Sequence, residues 1–202
     1  MTTISEVSTE DARIEATQSL ISAGRVVFTE LGYRRTDFTD LAAAAGLDPA
    51  YARELLPDKA AVFGALVERT VRVAGLLGPA LAEGVDEDLP ARIARTYLAL
   101  WEPGEEEESP LVQVYRIGLA DKEASAVLRA RVAEILNSAV DQGLGGDDPE
   151  LRTALFGAQL GGTAIARHLL GVRTLASVDV GTVIETITPG LRATLLRTAS
   201  AG

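Results

Sequence analysis

An all-α fold follows from three observations on this chain of 202 residues. Apolar residues recur at helical spacing along most of its length, and no segment shows the alternation of a strand. Alanine and leucine abound while aromatic residues make up only 4% of the sequence, a composition suited to helices that approach closely through small side chains. Glycine, proline and aspartate collect between the periodic segments, where helix caps and breaks belong. The pattern predicts about nine helices. Three form an N-terminal helix-turn-helix unit over residues 10–57, a larger helical domain fills 58–202, and the polar residues 1–9 form a disordered tail.

In chain order, Ile14, Leu20, Ile21, Val27, Phe28 and Leu31 form the apolar stripe of a first helix from Asp11 to Leu31. Gly32 ends it, and Tyr33-Arg34-Arg35 make a short link. Asp37 is placed as N-cap of a second helix, with Asp40 three residues on in the capping-box position. That helix runs from Phe38 to Ala45 and turns Phe38, Leu41 and Ala42 inward. Gly46 closes it, Asp48 and Pro49 open a third short helix, and Pro57 stops that one. Asp58 caps a fourth helix carrying Val62, Phe63, Leu66 and Val67 on to about Leu81, long enough to connect two parts of the molecule. Further helical patterns lie near 89–101, 110–120, 123–142, 148–171 and 179–198.

Composition excludes several functions. The chain has no cysteine, so disulfides, thiolate catalysis and cysteine metal sites are ruled out. One histidine, His168, cannot build a histidine-rich metal centre, and no nucleophile–base constellation names a catalyst. Neither enzyme activity nor a cofactor is expected. The start of the chain has no basic region followed by an apolar one, and no stretch is apolar enough to span a bilayer, so a cytoplasmic location is expected. The net charge of −10 opposes non-specific attraction to nucleic acid or anionic membranes, although a local basic patch can sit on an acidic protein. The run Glu105–Glu108 reads as a solvated, mobile loop.

The run SAGRVVFTELGYRRTDFTDLAAAAGLDPAYARELLPDKAAVF resembles the N-terminal domain of the TetR family of one-component transcriptional repressors. The landmarks are Ala23-Gly24, Val27-Phe28, Gly32-Tyr33, Thr36-Asp37, Leu41-Ala42 and Ala45-Gly46, which follow one another without a gap. The later segment ARHLLGVRTLASVDVGTVIETITPGLRATLL is similar, with lower specificity, to a tail common among actinobacterial members. In the third helix the sequence departs from the family pattern. Arg53 stands where the family has a phosphate-contacting tyrosine, and Leu55 where it has a histidine, whereas Thr36 and Lys59 match.

The resemblance implies a ligand-responsive repressor that binds a double-stranded DNA operator as a homodimer. Arg34, Arg35, Thr36, Asp48, Pro49, Ala50, Tyr51, Arg53 and Lys59 are the candidate DNA-binding residues. Tyr97, Trp101, Gln113, Tyr115, Phe156, Gln159 and His168 are the candidate lining of a pocket for an unknown small-molecule effector. The last two long helices, about 148–171 and 179–198, are the candidate dimer interface, and Gly157, Gly161 and Gly162 within the first of them ask for close packing. The alternative is a small-molecule sensor or protein-interaction protein on the same scaffold with weakened or lost DNA binding. The acidic balance and the altered third helix motivate it.

Overall fold

The structure, a computed structural model, describes residues 4–74, 78–104 and 108–196. Every regular element among these residues is helical, as the sequence predicts. The α-helices are α1 (Ile4–Leu31), α2 (Phe38–Ala44), α3 (Pro49–Leu55), α4 (Lys59–Ala74), α5 (Gly78–Ala82), α6 (Leu89–Ala99), α7 (Pro110–Ala120), α8 (Lys122–Asp141), α9 (Pro149–Ala164), α10 (Arg173–Ala176) and α11 (Val180–Leu195). A 3-10 turn, Tyr33–Arg35, precedes α2, and a π turn, Ile165–Leu169, extends α9. The two helices beyond the expected nine are the shortest, α5 and α10.

One expectation changes, and two fall partly outside the described residues. Of the tail expected over 1–9, residues 4–9 are the first turns of α1 and residues 1–3 lie outside the described residues. Of the fourth helix expected to about Leu81, Lys59–Ala74 and Gly78–Ala82 are helical, and residues 75–77 lie outside the described residues. Of the acidic run, Glu105–Glu107 lie outside the described residues and Glu108 is exposed.

The chain divides into two compact units, one made of residues 1–70 with 113–131 and the other of 71–112 with 132–202. The first thus takes in more than residues 10–57, because the N-terminal half of α4 belongs to its core. Leu20, Phe28, Leu41, Ala42, Ala52, Val62, Phe63 and Leu66 are all essentially inaccessible to solvent. Gly24 permits α1 to approach α4, since a Cβ there would lie 2.7 Å from Val62 Cγ1. In the second unit α6, α9 and α11 pack on one another. They bury Leu89, Ile93, Leu98, Trp101, Leu160, Leu191 and Leu195. The turn before α9 depends on Gly145, whose φ of +100° and approach to Pro149 (2.5 Å from a hypothetical Cβ to Pro149 Cα) exclude any side chain.

Candidate functional site

In the first unit the caps read from the sequence set the geometry. The Asp37 amide donates to Asp40 Oδ2 at 2.8 Å, the return half of the expected capping box. Asp48 Oδ1 accepts from the Ala50 and Tyr51 amides at 2.9 and 3.2 Å, and Pro49 occupies the first turn of α3. Asp58 Oδ1 accepts from the Ala61 amide at 2.7 Å. Gly46 takes a positive φ of 69° between α2 and α3, a conformation most residues avoid.

Behind this pair of helices, Phe28, Tyr33 and Phe63 form an aromatic triangle with centroid separations of 5.3, 5.6 and 5.8 Å. Lys59 closes it. Its Nζ lies 4.7 Å above the Tyr33 ring and donates to the carbonyls of Tyr33 and Thr36 at 3.2 and 3.3 Å. Thr36 is buried and donates its hydroxyl to the Gly32 carbonyl at 3.0 Å, so its side chain supports the turn from within. Burial pushes the Tyr33 hydroxyl above its ordinary pKa, reinforced by the carboxylates of Glu123, Asp121 and Asp58.

The remaining candidates of this unit separate by what they touch. Arg34 and Arg35 are exposed on the 3-10 turn, with Arg35 Nε donating to the Leu31 carbonyl at 2.7 Å. Pro49, Ala50 and Tyr51 are exposed at the start of α3. Arg53 is turned back onto the domain. Its guanidinium lies 4.3 Å above the Phe38 ring, and Nη1 donates to the Pro57 carbonyl at 3.1 Å.

In the second unit a polar cluster surrounds the π turn. Trp101 is wholly buried, meets Tyr97 edge-on at 6.0 Å and stacks with His168 at 6.0 Å. Arg167 is nearly as buried. Its Nε pairs with Glu102 Oε1 at 3.1 Å, while Nη1 donates to the Val178 carbonyl at 2.6 Å and to the Leu175 carbonyl. His168 Nε2 stands 3.6 Å from the same Glu102 oxygen. Burial lowers the pKa of His168, with Glu102 opposing and Arg167 adding to the shift, so the imidazole is held neutral.

The sequence profile of the tetracyclin repressor-like C-terminal domain matches residues 87–195, more than half of the chain. The chain belongs to the TetR-like family. Among curated proteins no sequence relative matches it. Solved TetR-family structures share the fold. A regulator from Streptomyces coelicolor superposes with a TM-score of 0.69 at 24% identity, over 90% of this chain and 94% of that one. The fatty acid degradation regulator FadR of Bacillus halodurans gives 0.61 at 16% identity, over 88% and 94%. FadR of Bacillus subtilis, in complex with stearoyl-CoA, gives 0.58 at 15% identity, over 88% and 98%.

In this TetR-like chain the candidate effector residues do not all fall in one unit. Tyr97, Trp101, Phe156, Gln159 and His168 belong to the second, Gln113 and Tyr115 to the first. Tyr97, Trp101 and His168 are brought together. Phe156 is buried on α9, and Gln159 is exposed, its amide donating to Thr194 Oγ1 on α11 at 2.8 Å. The sequence reading missed Glu102 and Arg167. A cation inside the apolar stretch TAIARHLL signalled that a partner was needed, but not which carboxylate supplied it.

Two outcomes test these assignments. Replacing Lys59 by Met is expected to destabilise the DNA-free protein by about 1–3 kcal/mol in denaturant titration, because two backbone carbonyls lose a charged donor. Unchanged stability would return Lys59 to the role of a free phosphate contact. For His168 the folded pKa lies below the unfolded value near 6.5, so the unfolded chain takes up the proton first. The stability His168 contributes is therefore present above that pH and lost as pH falls through the folded value. Melting temperatures between pH 7.5 and 5 should fall more steeply for the natural protein than for His168→Phe. Carboxylates held low, Asp86 by Arg92 and Asp179 by Thr182, titrate at more acidic pH and leave this window clear.

Proposed function

We infer that this TetR-like chain is a cytoplasmic, homodimeric DNA-binding repressor whose operator affinity is set by a small molecule held in the second unit. The observation that carries the reading is the first unit's capped α2–α3 pair, with Arg34 and Arg35 exposed on the turn before α2 and Tyr51 exposed at the start of α3. Arginines beside a short helix pair suit backbone phosphates, and a helix opening with Pro49, Ala50 and Tyr51 suits apolar and hydroxyl contacts in a major groove. No helix among the described residues is long and apolar enough to cross a membrane.

A dimer through α9 and α11 is supported by their outward faces. Leu151 and Leu155 are 55% and 47% exposed, and Ala158 and Gly162 continue the same stripe of α9. On α11 the exposed residues are Gly181, Thr182, Glu185, Thr186, Pro189, Gly190 and Ala193, uncharged and mostly small apart from Glu185. Gln159 and Thr194 join the two helices beside these stripes. Two-fold binding to successive major grooves would require the two α3 helices of the dimer to be roughly 34–36 Å apart, one turn of DNA.

For the effector, Tyr97, Trp101 and His168 bring three rings with polar tips together, and a relative of the same fold is solved with stearoyl-CoA. An effector favouring one conformation of the second unit would change DNA affinity by its differential binding. The engagement of Arg53 and Lys59 within the domain favours the second reading, a sensor on this scaffold without DNA binding.

Mobility shift with the region upstream of the chain's own coding sequence separates the two. The first reading expects binding that weakens with salt, and the double change Arg34→Ala/Arg35→Ala, which removes two arginines from each protomer of the dimer, should reduce the salt slope by about 4. Absence of binding across low and physiological salt would leave the sensor. Independently, Leu151→Glu/Leu155→Glu is expected to shift the protein from dimer to monomer in sedimentation velocity and to weaken operator binding by at least about tenfold, since a carboxylate buried unpaired costs several times RT. A natural protein that sediments as a monomer at micromolar concentration would rule out this interface.

A further inference from the structure

The outward face of α3 carries a residue that the fold does not use. Ala50, Tyr51 and Glu54 lie at i, i+1 and i+4, share one face and are all exposed, while Ala52 is buried beneath them. Arg53 lies on the flank with its guanidinium over Phe38 and bonded to the Pro57 carbonyl. Arg53 is exposed as well, so the exposed functional groups of α3 not engaged within the domain are the Tyr51 hydroxyl and the Glu54 carboxylate.

Glu54 is badly placed for stability. It makes no hydrogen bond or ion pair among the described residues, and it sits in the last turn of α3, where the partial negative charge of the helix end disfavours a carboxylate. Beside DNA phosphates it would be repelled as well. A base edge is different. A carboxylate only accepts, and the donors in the major groove are the amino groups at cytosine N4 and adenine N6. Adenine sets the acceptor N7 next to N6, where it would face the second carboxylate oxygen. Cytosine has no such acceptor in the groove, so it is the better partner.

We propose that Glu54 is a specificity-determining residue that accepts a hydrogen bond from the N4 amino group of one cytosine in each operator half-site. The proposal rests on the reading of the first unit as a DNA-binding head. Its energetic logic is discrimination by penalty. The carboxylate lowers affinity for every sequence through phosphate repulsion and recovers that loss only where a cytosine stands opposite, which widens the gap between right and wrong sites. The chain's net charge of −10 acts in the same direction by weakening non-specific binding.

The test is selection of binding sites from randomised duplex DNA at physiological salt, with the natural protein, Glu54→Gln and Glu54→Ala, followed by competition titrations on the selected sites. The natural protein should select a cytosine at one position per half-site. Glu54→Gln should move that position to adenine, because a Gln amide donates to N7 and accepts from N6. Glu54→Ala should lose about tenfold of discrimination there and bind random DNA more tightly. An identical selected motif for all three proteins would overturn the role of Glu54 while leaving DNA binding in place. Failure of the natural protein to select or retain any DNA would overturn the DNA-binding reading, and this inference with it.

Discussion

The ammonium of Lys59 is the constraint on which the geometry of the first unit depends. A turn that reverses the chain between two helices leaves carbonyls with no helical partner, and each would cost free energy if buried unpaired. Lys59 answers two of them, at Tyr33 and Thr36, from the first residue of α4. By lying over the Tyr33 ring it also fixes the ring that stacks on Phe28 and meets Phe63 edge-on. One side chain thus joins α1, the 3-10 turn and α4. Arg34 and Arg35 are exposed on that turn because the residues on either side of them, Tyr33 and Thr36, are held inward.

Arg167 has the corresponding place in the second unit. A guanidinium so nearly buried needs compensation on most of its donors. Glu102 supplies charge, and the Leu175 and Val178 carbonyls supply acceptors from the segment between the π turn and α11. The connection from α9 to α11 is therefore organised around a cation rather than around an apolar core. His168, the next residue, shares the Glu102 oxygen at longer range and stays neutral. Protonating it would place two cations on one carboxylate, which links the proton affinity of the imidazole to the packing of this connection.

What was legible in the sequence was local. Asp37, Gly46, Asp48, Pro49 and Asp58 act within four residues of themselves, so their roles follow from spacing alone. The helical periods, and through them the all-α fold, were legible for the same reason. The roles of the cations were not. Lys59 bonds 26 and 23 residues back, Arg167 pairs 65 residues away and Gln159 bonds 35 residues on. Nothing in the residue type distinguishes a lysine reaching for a phosphate from one tying down a backbone turn. Thr36 poses the same problem, since the hydroxyl read as an outward contact is buried and serves the Gly32 carbonyl.

The glycines of α9 show how structure divides one sequence feature into two causes. A glycine inside a helix costs about 1 kcal/mol relative to alanine, so each should correspond to some contact that a methyl group would spoil. Gly157 has such a contact within the chain, because a Cβ there would lie 2.9 Å from Leu136 Cδ2 on α8. Gly161 faces the Tyr97 hydroxyl, with 3.7 Å left for a Cβ, which is ordinary contact. Gly162 is exposed, with nothing within 4 Å of its Cβ position. Packing within the chain therefore accounts for Gly157 and leaves Gly162 unexplained. Gly162 stands on the same stripe as Leu151, Leu155 and Ala158, and leucines so exposed are equally unexplained by a single chain. One cause suffices for both anomalies: a second helix laid against that stripe, close enough to need the glycine and apolar enough to cover the leucines.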